Sequence, residues 1–420
     1  MTLMLFGLFF LFMLLGVPIA FAIGASTLYA LYQSGVPLMV VTQHMFQGIN
    51  SFALVAVPMF ILTGDLMAQG KVSEKLVNFA DALVGFMRGG LSIVSVIAGM
   101  FFAAISGSGA ATTAAVGSTL VPELRRKGYD PASAASLIAA SGTIGVVIPP
   151  SVPMIIYAVI AQQSISKLFL SGFIPGVAMG LGLMAIAIVQ AYKRQYPHGT
   201  ALSPATVWRT LKDASWGLMT PVIILGGIFS GIFTPSEAAV VAVNYALLVS
   251  LFIYRDLTPK AIYHVLIRSA ITTSVVMLVI AMSAVLSWTL LSWQVPGAIA
   301  QAVLSLSDNP FIIMLLIVGV ILLTGVFIET ASALIILTPM LLPLMFQLGI
   351  DPIHFGLIIV MGLAVGMITP PVAINLYVAS SVTRLPLGQI TRAIIPYLLG
   401  LIGVLLLVVY VPMLMGWSGG

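Results

Sequence analysis

Long runs of apolar residues, separated by short polar or charged segments, cover almost the whole chain. A helix of about 20 apolar residues crosses the hydrocarbon core of a bilayer, so this pattern predicts roughly ten to twelve membrane segments. The full-length spanning helices are predicted at Met1–Ala30, Phe52–Gln69, Ala132–Gln162, Phe169–Tyr192, Trp216–Ile232, Ala238–Tyr254, Ser269–Trp293, Ile353–Val382 and Ile390–Met415.

Two further apolar stretches, Leu91–Val121 and Ile312–Leu342, are too long for one spanning helix and too short for two. Each has polar residues at its middle: Ser106 and Ser108 in the first, Glu329 in the second. Polar backbone at membrane depth must be buried in protein or line a wet cavity. The pattern therefore predicts two re-entrant hairpins.

The second half of the chain repeats part of the first. The sequence GYDP, which ends at Pro131, recurs 221 positions later as GIDP, which ends at Pro352. At the same offset, GVVIPP ending at Pro150 recurs as GMITPP ending at Pro371. Repeats of this kind are the sequence signature of a duplicated architecture.

Charge predicts that the two repeats are inverted. Arg125-Arg126-Lys127 follows the first predicted hairpin, whereas the matching FQL sequence at 346–348 is uncharged. Cytoplasmic loops of membrane proteins carry an excess of Lys and Arg, so these two loops face opposite sides. Extending this rule along the chain leaves only Lys167 on the outer side, so the net charge of +5 reflects orientation and not nucleic-acid binding.

Composition agrees with a membrane protein, because 60% of the 420 residues are hydrophobic and 6% are charged, against about a quarter charged in soluble domains. We predict an all-α integral membrane protein built as an inverted-repeat transporter, with two re-entrant hairpins and two broken helices. Its predicted segments are scaffold helices at 1–89, a first transport repeat at 90–168, further scaffold helices and connecting arms at 169–310, a second transport repeat at 311–389, and a C-terminal helix at 390–420.

The two Pro-Pro pairs predict where the broken helices bind ions. Proline removes an amide donor and clashes with the preceding turn, so each helix must break near mid-membrane. The break frees carbonyl oxygens, which suit Na⁺ when no carboxylate cage is present. Combining each hairpin tip with the break that follows it predicts two Na⁺ sites, one at Ser106, Ser108, Gly145, Ile148 and Pro150, and the other at Gly325, Gly366 and Thr369.

Several functional classes find no support in the sequence. Cysteine is absent and the four histidines are scattered, so neither thiol chemistry nor a metal centre is indicated. The chain has no phosphate-binding loop and no hydrolase motif. A membrane hydrolase using Ser108 would lack a base in the same segment, and a channel would need a continuous polar pore. We therefore predict a secondary, ion-coupled transporter and not an enzyme.

Five stretches resemble the large membrane subunit of the tripartite ATP-independent periplasmic (TRAP) transporters. They are VAVP followed by ILTG up to Gly64, SGSGAATTAAVG from Ser106, IGVVIPPS up to Ser151, GGIFSGIFTPSEAAVVA from Gly226, and GVFIETASALIILTP from Gly325. The resemblance extends along essentially the whole chain.

This resemblance implies Na⁺-coupled uptake, with two or more Na⁺ sites, by an elevator motion in the bacterial inner membrane. It also implies a small membrane subunit as a separate chain, since this chain begins at the large subunit's first helix, and a periplasmic binding protein that delivers an organic acid. That acid would be a C4-dicarboxylate or a sialic-acid-like carboxylate. The residues expected to contact it are Ser108, Ser151, Glu329 and Asn375.

Some alternatives remain open at this stage. Glu329 stands where many family members have Asp, and its extra methylene shifts the carboxylate by about 1.5 Å. The substrate of a particular family member therefore cannot be assigned to this chain by resemblance. Glu329 could also be a structural cap of the half-helix that follows it. Glu237, after a TPS sequence, and Asp65 are interpreted as caps of this kind. A stand-alone Na⁺-coupled carboxylate carrier with the same inverted architecture is the alternative to a TRAP subunit.

Overall fold

The computed structural model describes residues 1–69, 71–198, 202–307 and 309–415, so residues 416–420 of the predicted C-terminal segment lie outside it. Every extended regular element within these ranges is helical, which confirms the all-α class. The helices are α1 (Thr2–Leu14), α2 (Ile19–Gln33), α3 (Met39–Ile49), α4 (Ala56–Gln69), α5 (Val72–Val84), α6 (Gly90–Ser106), α7 (Gly109–Arg126), α8 (Pro131–Thr143), α9 (Val152–Ile160), α10 (Ile165–Lys193), α11 (Pro204–Phe229), α12 (Pro235–Leu248), α13 (Pro259–Ser292), α14 (Val295–Leu306), α15 (Pro310–Phe327), α16 (Thr330–Gln347), α17 (Pro352–Gly366), α18 (Ile374–Thr383) and α19 (Leu387–Leu414).

Seven of the described helices are long and apolar enough to cross a membrane. Large apolar side chains also cover their outer surfaces: Ile174 on α10 is 78% exposed, and Leu323 on α15 and Leu399 on α19 are each 63% exposed. Exposed apolar surface on this scale belongs against lipid or another membrane protein.

The repeated Gly-x-Asp-Pro sequence forms the same turn twice. Gly128 ends α7 with φ +77°, and Gly349 ends α16 with φ +69°, a backbone conformation that glycine adopts without strain. Asp130 then caps α8 by accepting a 2.9 Å hydrogen bond from the amide of Ser133, and Asp351 caps α17 in the same way. The proline that follows occupies the first helical position, where its missing N–H costs nothing.

The two repeats interlock. Beyond its break, each broken helix packs against one hairpin arm of the other repeat and against the first half of that repeat's broken helix: α9 against α16 and α17, and α18 against α7 and α8. The Tyr157 hydroxyl on α9 donates a hydrogen bond to the carbonyl of Pro352, and the Arg125 guanidinium at the end of α7 donates to the carbonyl of Thr383. Each repeat therefore completes the packing of the other.

The remaining helices form two groups by their contacts. Helices α2, α3 and α4 pack against α13, and α12 packs between α4 and α11. Helices α10 and α19, which the sequence predicted outside the repeats, pack against each other and on the broken helices α8 and α17. Between the groups, α5 packs against both α11 and α6.

Some elements differ from the prediction. The predicted first helix, Met1–Ala30, is two helices, α1 and α2, because Gly16 adopts φ +79° and Pro18 supplies no amide to continue the helix. Asp65 is not a cap: it lies inside α4, where its Oδ2 accepts a 2.7 Å hydrogen bond from the Ser269 hydroxyl. Glu237 does cap α12, through a reciprocal pair of hydrogen bonds with Thr234.

The hairpins have longer arms than the sequence predicted. They extend over 90–126 and 310–347, and each arm has 17 or 18 residues. Both arms of the second hairpin are long and apolar enough to cross a membrane, so length alone does not make it re-entrant. Its interior position follows from the close contact of its tip with the second helix break, described next.

Candidate functional site

The first hairpin tip lies directly against the first helix break. The tip turns at Gly107, with φ +60°, between α6 and α7. A Cβ atom on Gly107 would lie 2.8 Å from the carbonyl oxygen of Pro150, and one on Gly145 would lie 2.7 Å from the carbonyl oxygen of Ser108. Both distances are below van der Waals contact. Glycine is thus required on both sides for the hairpin to reach the break.

Three oxygen atoms converge at this tip. The hydroxyl oxygens of Ser106 and Thr112 lie 2.9 Å from each other, and they lie 3.3 and 2.8 Å from the carbonyl oxygen of Ser108. The two hydroxyl hydrogens are therefore shared among three contacts. Both side chains are buried, at 2% and 0% exposure. Thr112 was not among the predicted ligands. Its position one helical turn after Ser108 in the SGSGAATT sequence was the available signal.

Ser151 and Ile148 occupy the break in different ways. The Ser151 hydroxyl donates to the carbonyl of Val146 over 2.6 Å and accepts from the amide of Met154 over 3.3 Å. It therefore bridges the break and caps α9 while fully buried. The Ile148 side chain is turned away toward α10, where a Cβ on Gly176 would lie 2.5 Å from it. Ile148 could therefore contribute to an ion site only through its backbone carbonyl.

The second hairpin and break form a sparser cluster. Gly325, near the end of α15, touches Gly366 at the end of α17: a Cβ on Gly366 would lie 2.5 Å from the Cα of Gly325. The Thr369 hydroxyl donates to the carbonyl of Val365 over 2.9 Å. The position 221 residues after Ser106 is Phe327, which is 54% exposed. The second cluster thus lacks the hydroxyl that is central to the first.

Glu329 caps the second arm of the second hairpin. Its Oε2 accepts hydrogen bonds from the amides of Ala331 (3.0 Å) and Ser332 (3.3 Å). Ser108, its partner in the repeat, caps α7 in the same way. Glu329 nevertheless remains exposed, and its Oε1 makes no hydrogen bond within the described part of the chain. One carboxylate oxygen thus stabilises the helix while the other is free to meet a ligand.

Asn375 joins the two repeats. It lies at the start of α18 and is fully buried; its Nδ2 donates to the carbonyl of Ala139 on α8 over 3.3 Å. Its Oδ1 has no hydrogen-bond partner among the residues that the structure describes. An amide held on one side and free on the other suits a ligand contact.

The predicted site residues therefore form two clusters, one at each hairpin tip. The first brings together Ser106, Ser108, Gly145, Pro150 and Ser151, and the second brings together Gly325, Gly366 and Thr369. Glu329 caps the second arm at the tip of the same hairpin as Gly325. Asn375 belongs to neither cluster by direct hydrogen bonding. Ion binding and substrate contact at these residues stay predictions.

Interlocked inverted repeats with hairpin tips against broken helices define a membrane transporter of the inverted-repeat class. Residues 6–414 match the family model of the tripartite ATP-independent periplasmic transporter, DctM component. The chain belongs to this family of bacterial inner-membrane transporters, as the sequence motifs predicted.

Relatives with assigned names match over most of this chain. It is 41% identical to the isethionate TRAP transporter permease protein DctMQ of Oleidesulfovibrio alaskensis over 97% of its length, but it spans only 65% of that relative. It is 42% identical to the C4-dicarboxylate TRAP transporter large permease protein DctM of Pseudomonas aeruginosa, covering 88% of this chain and 86% of the relative. It is 38% identical to the sialic acid TRAP transporter large permease protein SiaM of Vibrio cholerae, covering 94% of this chain and 93% of the relative.

A solved structure shares the fold. The crystal structure of the Alcanivorax borkumensis YdaH transporter, described as having an unusual topology, superposes with a TM-score of 0.65. The superposition covers 90% of this chain and 88% of the other, at 16% sequence identity. At that identity the likeness concerns the fold alone.

Proposed function

We propose that this chain is the large permease subunit of a three-component transporter that takes up an organic acid together with Na⁺. The observation that carries the proposal is the contact of each hairpin tip with a helix break. Such contacts bring hydroxyl and carbonyl oxygens together inside the helix bundle, where a cation and an anion can be bound side by side.

Na⁺ would travel as a co-substrate. In the first cluster the oxygens of Ser106, Thr112 and the Ser108 carbonyl lie within hydrogen-bond distance of one another, beside the carbonyl of Pro150. Neutral oxygens without a nearby carboxylate suit a monovalent hard cation. The hydroxyl hydrogens would rotate away as Na⁺ replaces the hydrogen bonds among them.

The substrate would be an organic acid anion. The named relatives carry isethionate, C4-dicarboxylates and sialic acid, and their identities to this chain lie between 38% and 42%. Because these identities are so similar, they support an organic acid as the substrate class but select no one acid. The proposed acid is a C4-dicarboxylate or a sialic-acid-like carboxylate. Where it carries a hydroxyl or an amide, the free oxygen of Glu329 can accept a hydrogen bond from that group.

An elevator motion would carry the substrate. We propose that α6–α10 and α15–α19 move as one body, because these helices interlock, against a frame built from α2–α4 and α11–α13. Gly64 on α4 lies at the boundary, where a Cβ atom would come 3.0 Å from the Cα and the carbonyl oxygen of Ser106. Because Gly64 has no side chain, no side chain of the frame blocks the hairpin tip at this point.

A small membrane subunit and a periplasmic binding protein would complete the transporter. The test is uptake of radiolabelled organic acids into proteoliposomes that contain this chain and its small subunit. Uptake should require both the loaded binding protein and an inward Na⁺ gradient, and it should not respond to ATP. Full uptake of free acid by this chain alone, with Na⁺ still required, would support the stand-alone carrier instead. Equal uptake with the Na⁺ gradient collapsed would refute coupling to Na⁺.

A further inference from the structure

A polar cavity of about 570 Å³ lies between α5 and the first turns of α11, and none of its lining residues belongs to the hairpins or helix breaks. Each helix contributes one face. The main lining residues are Lys75, Asn78 and Asp81 on α5, and Thr206, Arg209 and Asp213 on α11.

The cavity carries two positive and two negative side chains. Lys75 Nζ and Asp213 Oδ2 form an ion pair at 3.4 Å. Arg209 and Asp81 form no ion pair within the described ranges, although both face the cavity. Burial raises the pKa of the Asp81 carboxyl; to a smaller extent the Lys127 ammonium lowers this pKa and the Glu123 carboxylate raises it. An approaching cation would offset this cost of burial. A ligand that matches the wall would therefore carry one charge of each sign.

An apolar cleft of about 380 Å³ uses the same two helices. Its lining residues are Leu83, Leu202, Pro204, Val207 and Trp208. Trp208 is 71% exposed and Leu202 is 52% exposed. Exposed tryptophan is typical of the membrane–water interface. Because Lys75 and Arg209 are predicted on the cytoplasmic side, the cleft and the polar cavity lie at the level of the inner leaflet.

We propose that this paired site binds a phospholipid with a zwitterionic, primary-ammonium headgroup, phosphatidylethanolamine. The phosphate would be held by Arg209 through charge-assisted hydrogen bonds, and the ammonium by Asp81. An acyl chain would lie along Val207 and Trp208. A primary ammonium has three N–H donors for the carboxylate, whereas the quaternary ammonium of phosphatidylcholine has none.

Lipid at this site would brace the helix that precedes the first hairpin. Helix α5 contacts that hairpin through Ser73, whose hydroxyl donates to the carbonyl of Ala115 over 3.1 Å. On its other side α5 packs against α11, where a Cβ on Gly217 would lie 2.8 Å from Val72. Filling the cavity between α5 and α11 thus holds together an element of the frame and the hairpin that we propose to move.

The test is native mass spectrometry of the full-length chain in detergent, titrated with phosphatidylethanolamine, phosphatidylcholine and phosphatidylglycerol of identical acyl chains. Phosphatidylethanolamine should bind about ten-fold tighter than phosphatidylcholine, as expected for charge-assisted hydrogen bonds. Asp81→Asn should abolish this preference, and Arg209→Gln should weaken the binding of all three lipids. The matched controls, Glu74→Gln on α5 and Lys212→Gln on α11, carry charges outside the cavity and should bind like wild type.

The comparison among lipids uses the wild-type chain, so it holds even where a variant unfolds. Equal binding of phosphatidylethanolamine and phosphatidylcholine would overturn the proposal, as would a preference for phosphatidylglycerol or an equal loss of binding in the control variants. Soluble phosphoethanolamine is a further competitor. If it displaces the lipid at equal concentration, the apolar cleft takes no part and the assignment to a lipid is wrong.

Discussion

Glu329 is the residue at which structural and functional roles can be separated by experiment. Its Oε2 caps α16 through two backbone amides, while its Oε1 is free. Glu329→Gln keeps an oxygen for the cap and removes the charge. Glu329→Asp keeps the charge and withdraws it by about 1.5 Å. Glu329→Gln thus alters the free oxygen more than the cap, whereas Glu329→Asp moves both carboxylate oxygens together.

The expected magnitudes differ for the two roles. Removing a charge at a helix N-terminus costs about 0.3–1 kcal/mol, so thermal stability in detergent should fall only slightly in Glu329→Gln. A substrate hydrogen bond to a charged oxygen contributes about 1.5–3 kcal/mol, which is roughly ten- to a hundred-fold in affinity. Glu329→Gln should therefore shift selectivity against acids that carry a hydroxyl.

The assay compares uptake of acids that differ by one hydroxyl, such as malate and succinate, with thermal unfolding measured in parallel. Asp351→Asn is the matched control, because Asp351 caps α17 in the same way but lies at the far end of that helix from the break. It should leave the uptake ratio unchanged. If both Glu329 variants transport every acid at wild-type ratios, or if Glu329→Gln unfolds like a lost cap, the residue is structural and the substrate contact is refuted.

Two further predictions concern the ion clusters and the hairpin contacts. Ser106→Ala removes a converging oxygen and should raise the Na⁺ concentration for half-maximal uptake about ten-fold. Thr369→Ala should raise this concentration as well, because it removes the hydroxyl of the second cluster. Ser95→Ala, also on α6, should leave it unchanged, and wild-type Na⁺ dependence in both test variants would contradict the assigned sites. Gly325→Ala should destabilise the fold by about 1–3 kcal/mol, because its Cβ would lie 3.0 Å from a backbone atom of α17. In the control Gly319→Ala, on the same helix, the new Cβ meets open space and should not destabilise the fold. Equal unfolding temperatures of the two variants would show that the second hairpin does not depend on this contact.

Features with local causes could be predicted from the sequence. The Gly-x-Asp-Pro turns and the Pro-Pro breaks arise within a few residues, from a positive φ, a capping carboxylate and a missing amide, and the structure has them where the sequence indicated. The 221-residue repeat and the charge pattern predicted the inverted architecture, because a duplicated fold retains these local signals. The family motifs predicted the class of transporter.

Other features depend on residues that are distant in the chain. The first cluster forms only because the hairpin tip at Gly107 meets the carbonyl of Pro150, and α10 and α19 join the repeats because their faces match α8 and α17. The short helices α3, α5 and α14 were missed because none is long enough to cross a membrane. The charged side chains of α5 and α11 line one cavity only when the two helices pack together. Local patterns thus determined where helices begin, break and turn. The partners of each helix face were decided by packing across the whole bundle, because that packing depends on residues from many separate segments and not on any one local stretch of sequence.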